Sequence, residues 1–231
     1  MPGAAAQPDN LFAALPKALS EALFARAHLI DLQADQTLFV AGDAGDGCYH
    51  IESGLLKVSV VSASGHERIL AILGPPVLVG ELSLLDGRSR SANVTALRPS
   101  RLGFISRSAF DAVLDEQPRL WREVAAMLAL RLRESNNALV ATSFLPLQGR
   151  VARALLALSD AFGEKLPHPP GAGRVLIRQK VTQSDLAAMA GIARENVSRI
   201  LNGWLRDGLV SRISGYYCVE KPKALEALTK D

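Results

Sequence analysis

Two stretches of this chain set charged and hydroxyl side chains at spacings that chemistry can use. The first is Arg194, Glu195, Ser198 and Arg199. Positions i, i+1, i+4 and i+5 share one face of a helix. An arginine there can donate two hydrogen bonds to guanine O6 and N7, a glutamate can accept from cytosine N4, and a serine can bond base or phosphate. Glu195 and Arg199 also form an i,i+4 pair with the acid first, which can pre-orient the arginine. Taken alone, the same face reads first as a solvated surface with a routine ion pair. The second stretch is Gly80-Glu81-Leu82 followed by Arg90-Ser91, within GELSLLDGRSRSA. An arginine fork matches two phosphate oxygens. Backbone N–H groups beside Gly80 can add to an anion site. Glu81 can accept from a ribose 2′-hydroxyl, while Arg90 and Ser91 take the charged oxygens.

The elements that must position these groups can be read around them. Thr182 to Gly208 reads as two helices and a tight turn. Thr182 suits an N-cap, with Asp185 three residues on as a capping-box acid. Ala187, Gly191 and Val197 fall where a helix-turn-helix needs a small crossing residue, a left-handed turn residue and an apolar docking residue. Ile192, Val197, Ile200, Leu201, Trp204 and Leu205 are expected to face a core, and Gly208 to end the helix as its C′ residue. This frame turns the Arg194–Arg199 face into a DNA reader, with Thr182 at its edge. Beyond it, residues 209–213 and 216–219, joined at Ser214-Gly215, read as a hairpin wing.

Upstream, residues 9–28 form a short helical lead, carrying Leu11, Leu15, Leu19, Leu23 and Phe24. From Leu29 to Ile105, short apolar runs alternate with turn signals, the pattern of an antiparallel barrel or roll. Cys48, His28 and His50 are expected in its core. Pro118 suits the first turn of a long helix. Along it Trp121, Ala125, Leu128, Leu132, Ser135 and Leu139 recur at 4, 3, 4, 3 and 4, an a/d seam suited to a twin helix. An amphipathic helix lying on its own roll would show the same spacing; the polar Ser135 and the length favour the dimer. Phe144-Leu145-Pro146 breaks the helix as a hinge. A further helix carries Leu147, Val151, Leu155 and Leu158 on one side, before a Pro/Gly-rich loop from Gly163 to Gly173. The expected fold is α+β: a β-roll over 1–117, a dimerisation helix and hinge over 118–145, and a winged helix-turn-helix over 146–231.

Composition bounds the function. The 231 residues carry a net charge of +3, unevenly shared. Residues 1–145 hold 13 Lys/Arg against 15 Asp/Glu, or −2, and residues 146–231 hold 13 against 8, or +5. A basic C-terminal third suits a polyanion, whose counterions are released on binding. The two cysteines, Cys48 and Cys218, have no partner spacing, which fits a reducing, cytoplasmic setting. No apolar run nears the ~20 residues that span a bilayer, and the N-terminus is a poor signal peptide because it lacks a basic lead. His28, His50, His66 and His168 are scattered, with no nucleophile–base–orienter group. No catalytic residue or metal site is expected, and no covalent cofactor.

The order roll, glycine–acid–arginine–serine cassette, long helix, helix-turn-helix and wing resembles the CRP/FNR family of bacterial transcription regulators over nearly the whole chain. GELSLLDGRSRSA and TQSDLAAMAGIARENVSRI carry the likeness, which is strongest to the cyclic AMP receptor branch. The resemblance implies an allosteric cyclic nucleotide, cyclic AMP, at Gly80, Glu81, Leu82, Arg90 and Ser91. Counting back from Gly149-Arg150, it places adenine contacts on Ser135 and Asn136, where the best-known receptor has Thr-Ser. It implies a homodimer on double-stranded DNA, TGTGA half-sites read by Arg194, Glu195 and Arg199, and RNA polymerase as a partner. The cysteine cluster of the oxygen-sensing branch is missing. Another nucleotide or metabolite, or a ligand-free roll serving as a dimerisation scaffold, remains open at this point.

Overall fold

The computed structural model describes residues 17–25, 27–166 and 173–230. Its contacts divide the chain into two compact units, Leu11–Ser135 and one that includes Asn136–Asp231.

The first unit runs α1 (Lys17–Phe24), β1 (His28–Leu32), β2 (Thr37–Phe39), β3 (Gly47–Val61), β4 (Glu67–Leu73), β5 (Leu78–Val79), α2 (Glu81–Asp86), β6 (Asn93–Ser106), α3 (Arg107–Glu116) and the start of α4 (Leu120–Phe144). Every strand pair is antiparallel, in the order β1-β6-β3-β4, with β2 on β6 and β5 on β3. Alternation explains the strands. In β4, Ile69, Ala71 and Leu73 are buried while Leu70 is exposed; in β6, Val94 and Ala96 are buried between more exposed neighbours. One core lies within the roll around Ile51, Leu56, Val79 and Leu102. A second joins Cys48, Leu78, Leu84 and Ile105 to α3 and α4.

The α4 helix uses two faces. Leu120, Val124 and Met127 are buried against the roll. Trp121, Ala125, Leu132 and Leu139 are exposed, Leu132 by 63%, and Leu128 is half-buried. Apolar side chains in water are unfavourable by about 25 cal/mol per Å² left uncovered. Pro118 lies before the helix rather than in its first turn; its carbonyl accepts from Trp121 N at 3.2 Å.

The second unit holds the end of α4, then α5 (Leu147–Phe162), β7 (Gly163–Lys165), β8 (Val175–Ile177), α6 (Gln183–Ala190), α7 (Arg194–Arg206), β9 (Val210–Ile213), β10 (Tyr216–Val219) and α8 (Pro222–Ala227). Its sheet has the order β7-β8-β10-β9. Ser214 and Gly215 both have positive φ, 52° and 85°, and close the β9–β10 hairpin with the twist such two-residue loops require.

Several expectations are corrected. His28 is exposed, because β1 turns that residue outward at its first position, whereas His50 and Cys48 are buried. Leu147 is exposed while Val151, Leu155 and Leu158 form the buried stripe of α5. Residues 163–165 are strand rather than loop, since Gly163 pairs with Ile177 and Lys165 with Val175. Of the helical lead, Lys17–Phe24 is helix. Leu11 and Leu15, like His168 in the loop, fall outside the described residues. His50 meets Phe24 edge to face with 3.6 Å between ring centroids, and burial pushes its imidazole down to about 4, so it is neutral at physiological pH.

Candidate anion site and nucleic-acid interface

The sensor cassette is built by backbone geometry. Gly80 adopts φ 83°, ψ 9° and caps α2. A Cβ there would lie 2.6 Å from Arg90 Nη1, so glycine both permits the turn and makes room for the guanidinium. The far end of α2 is held by Arg107, which donates to the carbonyls of Ser83 at 2.7 Å and Leu84 at 2.6 Å. Orphan carbonyls at a helix end need such partners.

Arg90 is 4% exposed. Its Nη1 donates to Gly47 O at 2.7 Å, Gly80 O at 2.8 Å and Ser83 Oγ at 3.0 Å, and its Nη2 pairs with Asp46 at 3.3 Å. The guanidinium carbon stands 4.4 Å from the Phe39 ring centroid, a cation–π contact. Arg90 Nε is buried with no hydrogen-bond partner among the described residues. Such orphaned buried donors are rare and ask for an explanation. Glu81 is also buried, and its carboxylate pairs with Arg131 of α4, whose Nη2 donates to Leu78 O. Leu82 and Ser91 are exposed beside the cassette. Ser135 and Asn136 are exposed on α4.

Arg131 and Asp46 went unread in the sequence. Arg131 stands one turn before Ser135 in a stretch of apolar residues, which is the signal that could have found it. Asp46 lies in a Gly-Asp-Gly turn with nothing to single it out.

In the second unit, α6 opens with the expected capping box. Thr182 Oγ1 accepts from Asp185 N at 3.0 Å, and Asp185 Oδ2 accepts from Thr182 N at 2.8 Å. Gly191, at φ 64°, closes α6 with bonds from Gly191 N and Ile192 N to Ala187 O, the left-handed termination of a tight turn. Ala187 is buried, which lets the helices cross closely; Val197, Leu201 and Trp204 bury α7. Leu205 does not join them: it is exposed, because it lies off the stripe that Val197, Leu201 and Trp204 define. Gly208, at φ 63°, ends the helix with Leu209 N bonding Trp204 O at 2.9 Å.

On the outer face of α7, Arg194, Glu195 and Arg199 are exposed and Ser198 is half-buried. The expected Glu195–Arg199 ion pair is not among those formed by the described residues, which leaves both side chains able to take other partners. Glu195 instead lies in the first turn, where the helix dipole favours an acid. Asn202 continues the exposed face one turn on, an amide able to bond adenine N6 and N7 that the sequence reading passed over.

Known families match the regions that hold both sites. Residues 29–117 match the cyclic nucleotide-binding domain, and residues 149–228 match the Crp-like helix-turn-helix domain. The chain is 33% identical over 202 residues to a CRP-like cAMP-activated global transcriptional regulator of Mycobacterium tuberculosis, covering 85% of this chain and 84% of that one. It belongs to the CRP/FNR family. A cyclic AMP receptor protein of Thermus thermophilus is 35% identical over 191 residues, covering 83% of each chain. The solved structure of a CRP/FNR-family transcriptional regulator from Thermus thermophilus shares the fold, with TM-score 0.74, 24% identity, and coverage of 88% of this chain and 99% of that one. The protein is thus a DNA-binding transcription regulator with a cyclic nucleotide-binding roll, and its relatives are regulators rather than enzymes. Among the described residues, no helix is long and apolar enough to cross a membrane.

Proposed function

We propose that the protein is a homodimeric, cytoplasmic transcription regulator whose ligand is cyclic AMP and whose operator is an inverted repeat of TGTGA-like half-sites. The observation that carries the ligand is Arg90: a buried cation with an unspent Nε donor beside the positive-φ Gly80. A phosphodiester supplies the anion that this donor lacks. In this reading Ser91 adds a hydroxyl to the phosphate, Leu82 walls the site, and Glu81 receives the ribose when Arg131 releases it. Ser135 and Asn136 meet the base, and residues 1–117, 118–145 and 146–231 act as sensor, dimerisation helix with hinge, and DNA-binding domain. Relatives named for cyclic AMP support the choice of nucleotide.

The stripe of exposed Trp121, Ala125, Leu132 and Leu139 with half-buried Leu128 is the dimer seam. A two-fold dimer offers two α7 helices to successive major grooves roughly 34 Å apart, which makes the operator symmetric. Arg194, Glu195 and Arg199 read the half-site; Ser198 and Thr182 contact the phosphate backbone, and RNA polymerase is the partner at the promoter. Selection from a random DNA pool with cyclic AMP present tests this. The expected motif has two-fold symmetry, and Arg199→Ala relaxes one base position at a cost of about 1–3 kcal/mol. A winning motif without symmetry, or one indifferent to Arg199, overturns the assignment.

One observation favours a second reading. Both Nη groups of Arg90 already have acceptors within the protein, as in a roll that serves as a ligand-independent scaffold. Titration of cyclic AMP into the Arg90→Leu variant separates the two readings, since only the first predicts that the substitution removes binding.

A further inference from the structure

The ion pair between Arg90 and Asp46 has a consequence for the same site, and it rests on the nucleotide reading above. Among the described residues Asp46 is the one anion on the Arg90 guanidinium; the other three acceptors, Gly47 O, Gly80 O and Ser83 Oγ, are neutral. The partners differ in freedom. The Arg90 side chain is 2% exposed and that of Asp46 is 74% exposed. The Asp46 backbone is pinned, because its carbonyl accepts from Arg107 N at 3.1 Å. The neighbouring turn is packed tightly on α2: a Cβ at Gly45 would stand 2.3 Å from Ser83 Cβ. The arginine is therefore fixed, the loop is fixed, and the Asp46 carboxylate is the movable part.

We propose that Asp46 is an internal anion that holds the Nη2 edge of Arg90 when the site is empty and is displaced by the ligand's phosphate. It would act as an internal competitor that sets the affinity for an anionic ligand. A phosphodiester replaces one negative charge with another on the guanidinium, so the exchange leaves the buried cation paired throughout. An uncharged nucleoside brings no charge for that exchange and leaves the Asp46–Arg90 pair in place beside the Phe39 and Tyr49 rings. The pair also sets the response threshold, since apparent affinity falls by the fraction of the protein in which Arg90 is free.

The test is calorimetric titration of the full-length protein and its Asp46→Asn variant with cyclic AMP and, separately, with adenosine. Asp46→Asn keeps the shape and removes the charge. The expected result is cyclic AMP binding about three- to fivefold tighter in the variant, the size of an exposed ion pair. Adenosine brings no anion to exchange for Asp46, so its affinity should stay the same in the variant; a merely structural role for Asp46 would weaken both ligands together. Equal or weaker cyclic AMP affinity in Asp46→Asn, with binding by the wild type intact, overturns this inference and leaves the nucleotide reading standing. If neither protein binds cyclic AMP, the nucleotide reading fails and this inference falls with it.

Discussion

Gly80→Ala tests the construction of the sensor site. Gly80 holds φ 83°, a region that costs an L-residue about 1–2 kcal/mol. The added Cβ would stand 2.6 Å from Arg90 Nη1 and 3.3 Å from a Phe39 ring carbon. The guanidinium would have to withdraw by most of an ångström, although it is enclosed and donates to Gly47 O at 2.7 Å and Gly80 O at 2.8 Å. A buried charged donor that loses its acceptors costs about 1–3 kcal/mol. The expected loss is therefore about 2–5 kcal/mol. Gly87→Ala supplies the control, because Gly87 has φ 70° but nothing within 4 Å of its added Cβ. It should lose about 1–2 kcal/mol, the backbone part alone. Urea unfolding followed by far-ultraviolet circular dichroism measures both, and calorimetry should show cyclic AMP binding weakened in Gly80→Ala but not in Gly87→Ala. Equal losses in the two variants, or full ligand affinity in Gly80→Ala, would refute the claim that this glycine exists to admit Arg90.

Two further outcomes follow from other parts of the fold. Leu132→Glu puts a charge in the exposed stripe of α4, so sedimentation at micromolar concentration should show monomers; a dimer there would mean that the seam has been misassigned. Glu220 is held below the usual carboxylate range by Arg174, which donates to it at 2.7 Å, and by the Ser211 hydroxyl. A lowered folded pKa stabilises above the ordinary glutamate value of about 4.3 and is lost as pH falls through the folded value. Glu220→Gln should therefore make stability fall less steeply with acid below about pH 4.5, and an unchanged acid limb would count against the Arg174–Glu220 pair.

The parts legible in the sequence were those written in local chemistry. Thr182 with Asp185, Gly191, Gly208 and the Ser214-Gly215 turn each fix a few residues of backbone by their own conformational limits, and each stands where expected. The roll was legible as a class, because short apolar runs alternate with turn signals from Leu29 to Ile105. Its pairings were not, since β6 joins β1, β2 and β3 across long stretches of chain. The same holds for the site. Arg90 and Glu81 could be singled out by type and spacing. Their partners, Asp46 and Arg131, come from distant elements and are brought in by the fold. His28 and Leu205 were misread because apolar or ring-bearing side chains at an element's edge look like core until the neighbouring surface is known.

The central claim is that a cyclic nucleotide in the roll controls DNA affinity through the dimer. Fluorescence anisotropy of a labelled TGTGA inverted repeat, titrated with protein at fixed salt in the presence and absence of cyclic AMP, tests it most directly. Coupling between two sites of this kind is typically about 5- to 150-fold. Saturating cyclic AMP is expected to tighten DNA binding by at least about fivefold in the wild type and to leave the Arg90→Leu variant unmoved. Equal affinity with and without the nucleotide, or a full response in Arg90→Leu, would contradict it.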